Sequence, residues 1–143
     1  MKVLSTLGIG ALFVSMAACG ARVPPPPEVP SPLSQVEHGQ ALFAEHCARC
    51  HGESGEGSQR APQLVGEGAL PVDPPEDSRR EERFETAADV LAFVSEYMPP
   101  KKGGSLTPYE YAAIVAFALQ ANGIDLGDDT LTEENAEDWR IGR

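Results

Sequence analysis

The residues best suited to chemistry stand together in one pentapeptide, Cys47-Ala48-Arg49-Cys50-His51. Two thiols separated by two residues can form thioether bonds to the two vinyl groups of a single haem, and this spacing is typical of c-type haem attachment. The imidazole that directly follows the second thiol can bind the iron as an axial ligand. The pattern therefore predicts one covalently bound haem c, attached through Cys47 and Cys50, with its iron held by His51.

The same thiol pair has two alternative interpretations that involve no haem. A redox-active dithiol would be expected within a βαβ pattern of the thioredoxin type, and no such pattern surrounds the motif. A zinc site would need a second Cys/His pair at a suitable spacing, and the sequence offers none. The haem interpretation is favoured over both.

A second axial ligand can be sought among the three methionines, Met1, Met16 and Met98. The first two fall in an N-terminal segment that we expect to be removed, which leaves Met98 for the mature chain. It ends a predicted helix and precedes Pro99-Pro100, which would stiffen the segment that holds the sulfur. The alternative is an ordinary core methionine at the end of an amphipathic helix.

Two histidines are rival candidates for the second ligand. His38 and His46 both belong to the predicted helix that carries the attachment motif. Neither could easily reach the opposite face of the haem from there. We therefore expect both to be surface residues.

The N-terminus has the composition of an export signal. Lys2 is followed by an apolar run from Val3 to Ala18, which is too short for a comfortable membrane span. Small residues precede Cys19, as in a bacterial lipobox, so we expect residues 1–18 to be cleaved and Cys19 to be lipidated. The alternative is an ordinary signal peptide that leaves one unpaired cysteine.

Residues 19–33 are expected to form a lipid anchor and a linker. Six prolines between Arg22 and Ser34 favour an extended, semi-rigid spacer. The predicted protein is exported, faces the periplasm and is tethered to a bacterial membrane through acylated Cys19. Ala21, where Asp would direct retention, favours the outer membrane over the inner one.

The rest of the chain is predicted to be all-α. Three segments with helical periodicity begin with capping patterns, at Ser34, Thr86 and Thr107. Residues 52–85 show little periodicity, so we expect long loops wrapped around one covalently bound haem. We predict a domain over residues 34–124, followed by an acidic, surface-wrapping extension over 125–143.

The chain carries 11 Lys and Arg residues against 22 Asp and Glu residues, a formal net charge of −11. So acidic a protein is a poor candidate for binding nucleic acid. If it docks electrostatically on redox partners, their docking surfaces should be basic. The alternative is that the acidity serves only solubility.

From Gln35 to Gly123 the chain resembles class I monohaem cytochromes c. Beyond the attachment motif, the matching positions are Gly39 and Phe43 in the first helix, Met98-Pro99 at the distal ligand and Phe117 in the last helix. The resemblance implies that the Pro62 carbonyl accepts a hydrogen bond from the proximal histidine. It also implies that the first and last helices cross.

The function expected from these features is one-electron transfer by a haem with His and Met ligands, without enzymatic activity. Such an iron has no free site for a substrate. One alternative is a tethered, electron-accepting subunit of a larger dehydrogenase or oxidoreductase. Another is a haem sensor or enzyme whose distal ligand is labile.

Overall fold

The computed structural model describes residues 34–142, apart from residues 77 and 79. The expected signal segment, Cys19 and the proline-rich linker lie outside the described residues. The helices are α1 (Gln35–His46), α2 (Ala48–His51), α3 (Ala87–Tyr97) and α4 (Pro108–Ala121), followed by a 3-10 turn at Ala136–Asp138. The all-α prediction is confirmed, and the described part contains no helix long and apolar enough to cross a membrane.

Helices α1 and α4 cross at very close range. A Cβ atom on Gly39 would overlap the carbonyl oxygen of Ala113, so only glycine permits this approach. Beside the crossing, the rings of Phe43 and Phe117 lie 5.3 Å apart between centroids. The crossing fixes where the C-terminal end of α1, and hence the attachment motif, lies relative to α4.

Helix α3 forms the other side of the apolar core. Val90 and Leu91 belong to one buried cluster with Val115 and Leu119 of α4. The helix begins where the Asp89 carboxylate accepts hydrogen bonds from the backbone N–H of Thr86, at 2.8 Å, and of Glu85. The predicted cap at Thr86 and the helix that follows are therefore confirmed.

The C-terminal extension contributes residues to this core. Leu126, Leu131 and Ala136 are all buried in the cluster that joins α3 and α4. The side chain of Gln35 donates to the Leu131 carbonyl and accepts from the Leu131 N–H, both at 2.8 Å. The extension is acidic on its exposed side but is held to the domain by buried leucines.

Backbone contacts also tie the end of the extension to the start of α3. The N–H of Ala87 donates to the Trp139 carbonyl at 2.8 Å, and that of Ile141 donates to the Glu85 carbonyl at 2.9 Å. Thr86 and Arg140 form an isolated antiparallel bridge between these two bonds.

The long segment between α2 and α3 has neither helix nor strand in its described residues, and it is organised in part by a buried arginine. Arg80 is only 7% exposed, and its guanidinium donates to the carbonyls of Pro71, at 2.6 Å, and Asp73, at 2.8 Å. The same group lies 3.8 Å above the ring of Phe84. This arginine gives irregular backbone the partners that a helix or sheet would otherwise supply.

Candidate functional site

The attachment motif occupies a helical turn of its own. Helix α1 ends at His46, and the short α2 restarts directly after Cys47. The N–H groups of Cys50 and His51 both donate to the Cys47 carbonyl at 3.0 Å. This turn brings the two thiols and the imidazole of the motif together, and both thiols are free and half-buried.

His51 is buried, and one of its ring nitrogens already has a partner. Its Nδ1 lies 2.8 Å from the Pro62 carbonyl oxygen. Since a carbonyl can only accept, Nδ1 carries a proton, and in the neutral ring Nε2 keeps its lone pair. The imidazole is thus fixed in the tautomer that can bind a metal through Nε2.

A compact loop brings Pro62 back to His51. The Gly57 N–H donates to the His51 carbonyl at 2.6 Å, and the Leu64 N–H donates to the Gly55 carbonyl at 2.7 Å. Gly57 has φ +85°, and a Cβ there would lie 2.7 Å from the Gln63 nitrogen. Glycine is therefore required where the two arms of the loop meet.

The same loop is held from the far side by Asn122, a residue that the sequence analysis treated only as part of a helix stop. Its Nδ2 donates to the carbonyls of Leu64 and Ala118, both at 2.8 Å, and its Oδ1 accepts from the Gly66 N–H at 3.0 Å. Helical periodicity gives no sign of this role, because its two loop partners, Leu64 and Gly66, lie more than 50 residues away in the chain.

Met98 follows the last residue of α3 in extended backbone and is half-buried. Its carbonyl accepts a hydrogen bond of 2.8 Å from the hydroxyl of Tyr111, a buried residue of α4. The segment then turns back onto α3, where the Gly104 N–H donates to the Ser95 carbonyl at 2.8 Å. The Met98 backbone is therefore anchored both to its own helix and to α4.

The two rival histidines lie on α1 and are half-buried, whereas the sequence suggested surface positions. His38 packs against Tyr109 of α4, with ring centroids 5.7 Å apart. His46 lies 3.8 Å from the Glu45 carboxylate. His38 therefore takes part in the packing of α1 against α4, and the contact of His46 is with its neighbour in α1.

The surroundings of the thiols differ from those of a redox-active dithiol. Burial raises the pKa of the Cys47 thiol to about 11, and the neighbouring Cys50 adds to the effect. A redox dithiol depends on a thiol of lowered pKa, and the pKa of Cys47 is shifted in the opposite direction. Within the described part of the chain, no group of three or more His, Cys, Asp or Glu side chains could hold a metal ion.

The donor set fits a c-type haem. Two thiols and an imidazole share one helical turn, and Nε2 of that imidazole is available because Nδ1 is occupied. A c-type haem needs this combination of two thiols for covalent attachment and one neutral nitrogen ligand for the iron.

Comparison with known proteins agrees with this assignment. Residues 34–117 match the model of the family described as cytochrome c oxidase, cbb3-type, subunit III. The chain is 34% identical over 93 residues to a thiosulfate dehydrogenase of Stutzerimonas stutzeri (strain A1501), covering 64% of this chain and 29% of that protein. It also resembles the crystal structure of the sulfane dehydrogenase SoxCD from Paracoccus pantotrophus, with 31% identity and a TM-score of 0.54, covering 73% of this chain and 52% of that chain.

The predicted cofactor and the electron-transfer function are confirmed by these findings. The chain contains a cytochrome c domain, which implies covalent haem c with iron, and Cys47, Cys50 and His51 fit the attachment motif. It spans less than a third of the thiosulfate dehydrogenase and about half of the SoxCD chain.

Proposed function

This chain belongs to the family described as cytochrome c oxidase, cbb3-type, subunit III, and we propose that it relays single electrons through a closed haem with His51 and Met98 as axial ligands. The observation that carries this proposal is the bond of 2.8 Å between His51 Nδ1 and the Pro62 carbonyl, which leaves Nε2 for the iron. Anchoring of Met98 by Tyr111 supports its assignment as the second ligand.

When bound, haem c supplies a one-electron Fe(III)/Fe(II) couple. Cys47 and Cys50 would hold it covalently, and a thioether ligand from Met98 favours the reduced state relative to a second imidazole. No side chain is then needed as a general acid, a base or a nucleophile. We therefore propose that the chain itself catalyses no substrate oxidation.

A redox titration of the purified holo-protein tests the carrier proposal. We expect one reversible transition that follows the Nernst equation for one electron, with the absorption bands of a low-spin haem in both oxidation states. A high-spin spectrum in the native protein would mean that Met98 is not a ligand.

A more specific candidate is an electron-accepting subunit for a dehydrogenase that oxidises sulfur compounds. It is favoured because the two relatives described above are named thiosulfate dehydrogenase and sulfane dehydrogenase. This chain spans 29% of the first and 52% of the second, and we propose that the substrate is oxidised outside the haem domain described here.

The partner proposal is tested by mixing the oxidised chain with thiosulfate, alone and with proteins that co-purify in mild detergent. We expect no haem reduction by thiosulfate alone and reduction when the partner fraction is added. Reduction at a catalytic rate by the chain alone would instead make it an enzyme.

We further propose export to the periplasm and anchoring through a lipid on Cys19, with the outer membrane favoured by Ala21. The N-terminal sequence and the proline-rich linker support this proposal. An acidic chain with a net charge of −11 would meet redox partners best through their basic surfaces.

A further inference from the structure

We propose that Asn122 is a positioning residue for the proximal histidine, because its amide holds the loop whose Pro62 carbonyl orients the His51 imidazole. The inference rests on the proposed function, since it takes His51 as the iron ligand. It extends that function by linking the C-terminal end of α4 to the electronic properties of the site.

The Asn122 amide makes three hydrogen bonds, two as donor and one as acceptor. Its two Nδ2 hydrogens serve the carbonyls of Leu64 and Ala118, each at 2.8 Å. Its Oδ1 accepts from the Gly66 N–H at 3.0 Å. The side chain therefore bridges α4 and the loop with a fixed amide orientation.

Ending the helix does not require this amide. Asn122 itself has φ −95° and ψ 11°, a conformation open to alanine, whereas the left-handed turn belongs to Gly123, at φ +78°. The Asn122 backbone N–H also bonds to α4 carbonyls without help from the side chain. One Nδ2 hydrogen adds a bond to the Ala118 carbonyl of α4, and the rest of the amide bonds the loop.

A short series of hydrogen bonds connects Asn122 to His51 through the loop. Leu64, which Asn122 holds by its carbonyl, uses its own N–H to bond the Gly55 carbonyl at 2.7 Å. Pro62 stands two residues before Leu64, and its carbonyl lies 2.8 Å from His51 Nδ1. If the loop were released at Leu64 and Gly66, the hydrogen bond between the Pro62 carbonyl and His51 Nδ1 would therefore weaken, and the imidazole would be held less firmly in its orientation.

That bond has an electronic consequence. A carbonyl that accepts from Nδ1–H increases the basicity of the opposite ring nitrogen and so favours ferric iron. Loosening it should therefore raise the reduction potential. It should also let the Nδ1–H proton exchange with solvent more quickly.

The test compares holo-proteins carrying Asn122→Ala and Gln120→Ala, the latter truncating an exposed amide on the same end of α4. In the reduced, ¹⁵N-labelled proteins, exchange of the His51 Nδ1–H is measured by NMR. We expect exchange about five- to tenfold faster in Asn122→Ala, the scale of one lost hydrogen bond, with a potential shifted upward. Gln120→Ala should behave as the native protein.

A second variant protects the test against poor folding. Asn122→Asp keeps an oxygen for the Gly66 N–H but loses the donors to Leu64 and Ala118, so it should also speed exchange. Exchange alone is read in this variant, because the added negative charge lowers the potential by itself. Native exchange in the foldable Asn122 variants, or an equal change in Gln120→Ala, would overturn the proposal. A visible spectrum of the reduced native protein is recorded first, so an error in the distal ligand would appear separately, as a high-spin native spectrum.

Discussion

The two proposed iron ligands are each held by a hydrogen bond to a backbone carbonyl, that of Pro62 for His51 and that of Met98 itself for Met98. The first pairs with His51, and the second accepts from the Tyr111 hydroxyl. The motif residues and Met98 could be predicted from residue types and spacing, and Pro62 only from the family resemblance. Tyr111 could be predicted as a core residue, but no sequence pattern shows that its hydroxyl donates a hydrogen bond to the Met98 carbonyl, 13 residues away.

Replacement of Met98 by alanine should leave the iron without its sulfur ligand. Since a thioether favours the ferrous state, we expect a lower reduction potential and a high-spin, open site. Potentiometry and visible spectroscopy measure both effects. An unchanged potential would show that another residue is the ligand.

Tyr111→Phe should keep the buried ring and remove only the hydroxyl that bonds the Met98 carbonyl. We expect a loss of about 1 kcal/mol in the free energy of unfolding, the usual size for one such bond, and easier displacement of Met98 by added imidazole. Tyr109→Phe, on the same helix, is the control. Equal imidazole affinity in the two variants would contradict an anchoring role for Tyr111.

At the scale of elements, the capping patterns at Ser34, Thr86 and Thr107 predicted where the three main helices begin, because caps are local. The break between α1 and α2 was not predicted, since the helical periodicity runs through it. The contribution of the C-terminal extension to the core was also missed. Its leucines are widely spaced among acids and show no periodicity.

The crossing of α1 and α4 should be intolerant of any side chain at position 39. Gly39→Ala places a Cβ on the Ala113 carbonyl, and we expect a loss of about 3 kcal/mol as the helices are forced apart. Ala41→Val, at an exposed position of the same helix, should cost far less. Chemical denaturation of the holo-proteins compares them, and similar losses would contradict the close approach.

The start of α3 should make stability depend on acid pH. Burial tends to raise the pKa of Asp89, but hydrogen bonds from Thr86 and Glu85 outweigh it and lower the pKa below its usual 3.8. The carboxylate therefore stabilises the fold above about pH 4, and this contribution is lost as acid protonates it. We expect Asp89→Asn to be less stable at pH 7 and to lose less stability on acidification. If the free energy of unfolding of Asp89→Asn depended on pH as that of the native protein does, a stabilising role for the Asp89 carboxylate would be contradicted.

At the scale of the whole molecule, the described residues form one small haem domain, and we expect the acidic chain to be tethered at its N-terminus. Cys19→Ser should convert a membrane-bound protein into a soluble, exported one, if the lipid is the anchor. Fractionation of cells followed by haem staining measures this, and Cys19→Ala should give the same result. Continued membrane retention of both variants would count against lipid anchoring.

The central claim is that the native haem site is closed by His51 and Met98. The most direct measurement is carbon monoxide addition to the reduced native protein, followed by its visible spectrum. The account predicts no spectral change over the time in which the Met98→Ala variant binds carbon monoxide fully. Rapid carbon monoxide binding by the native protein would contradict it.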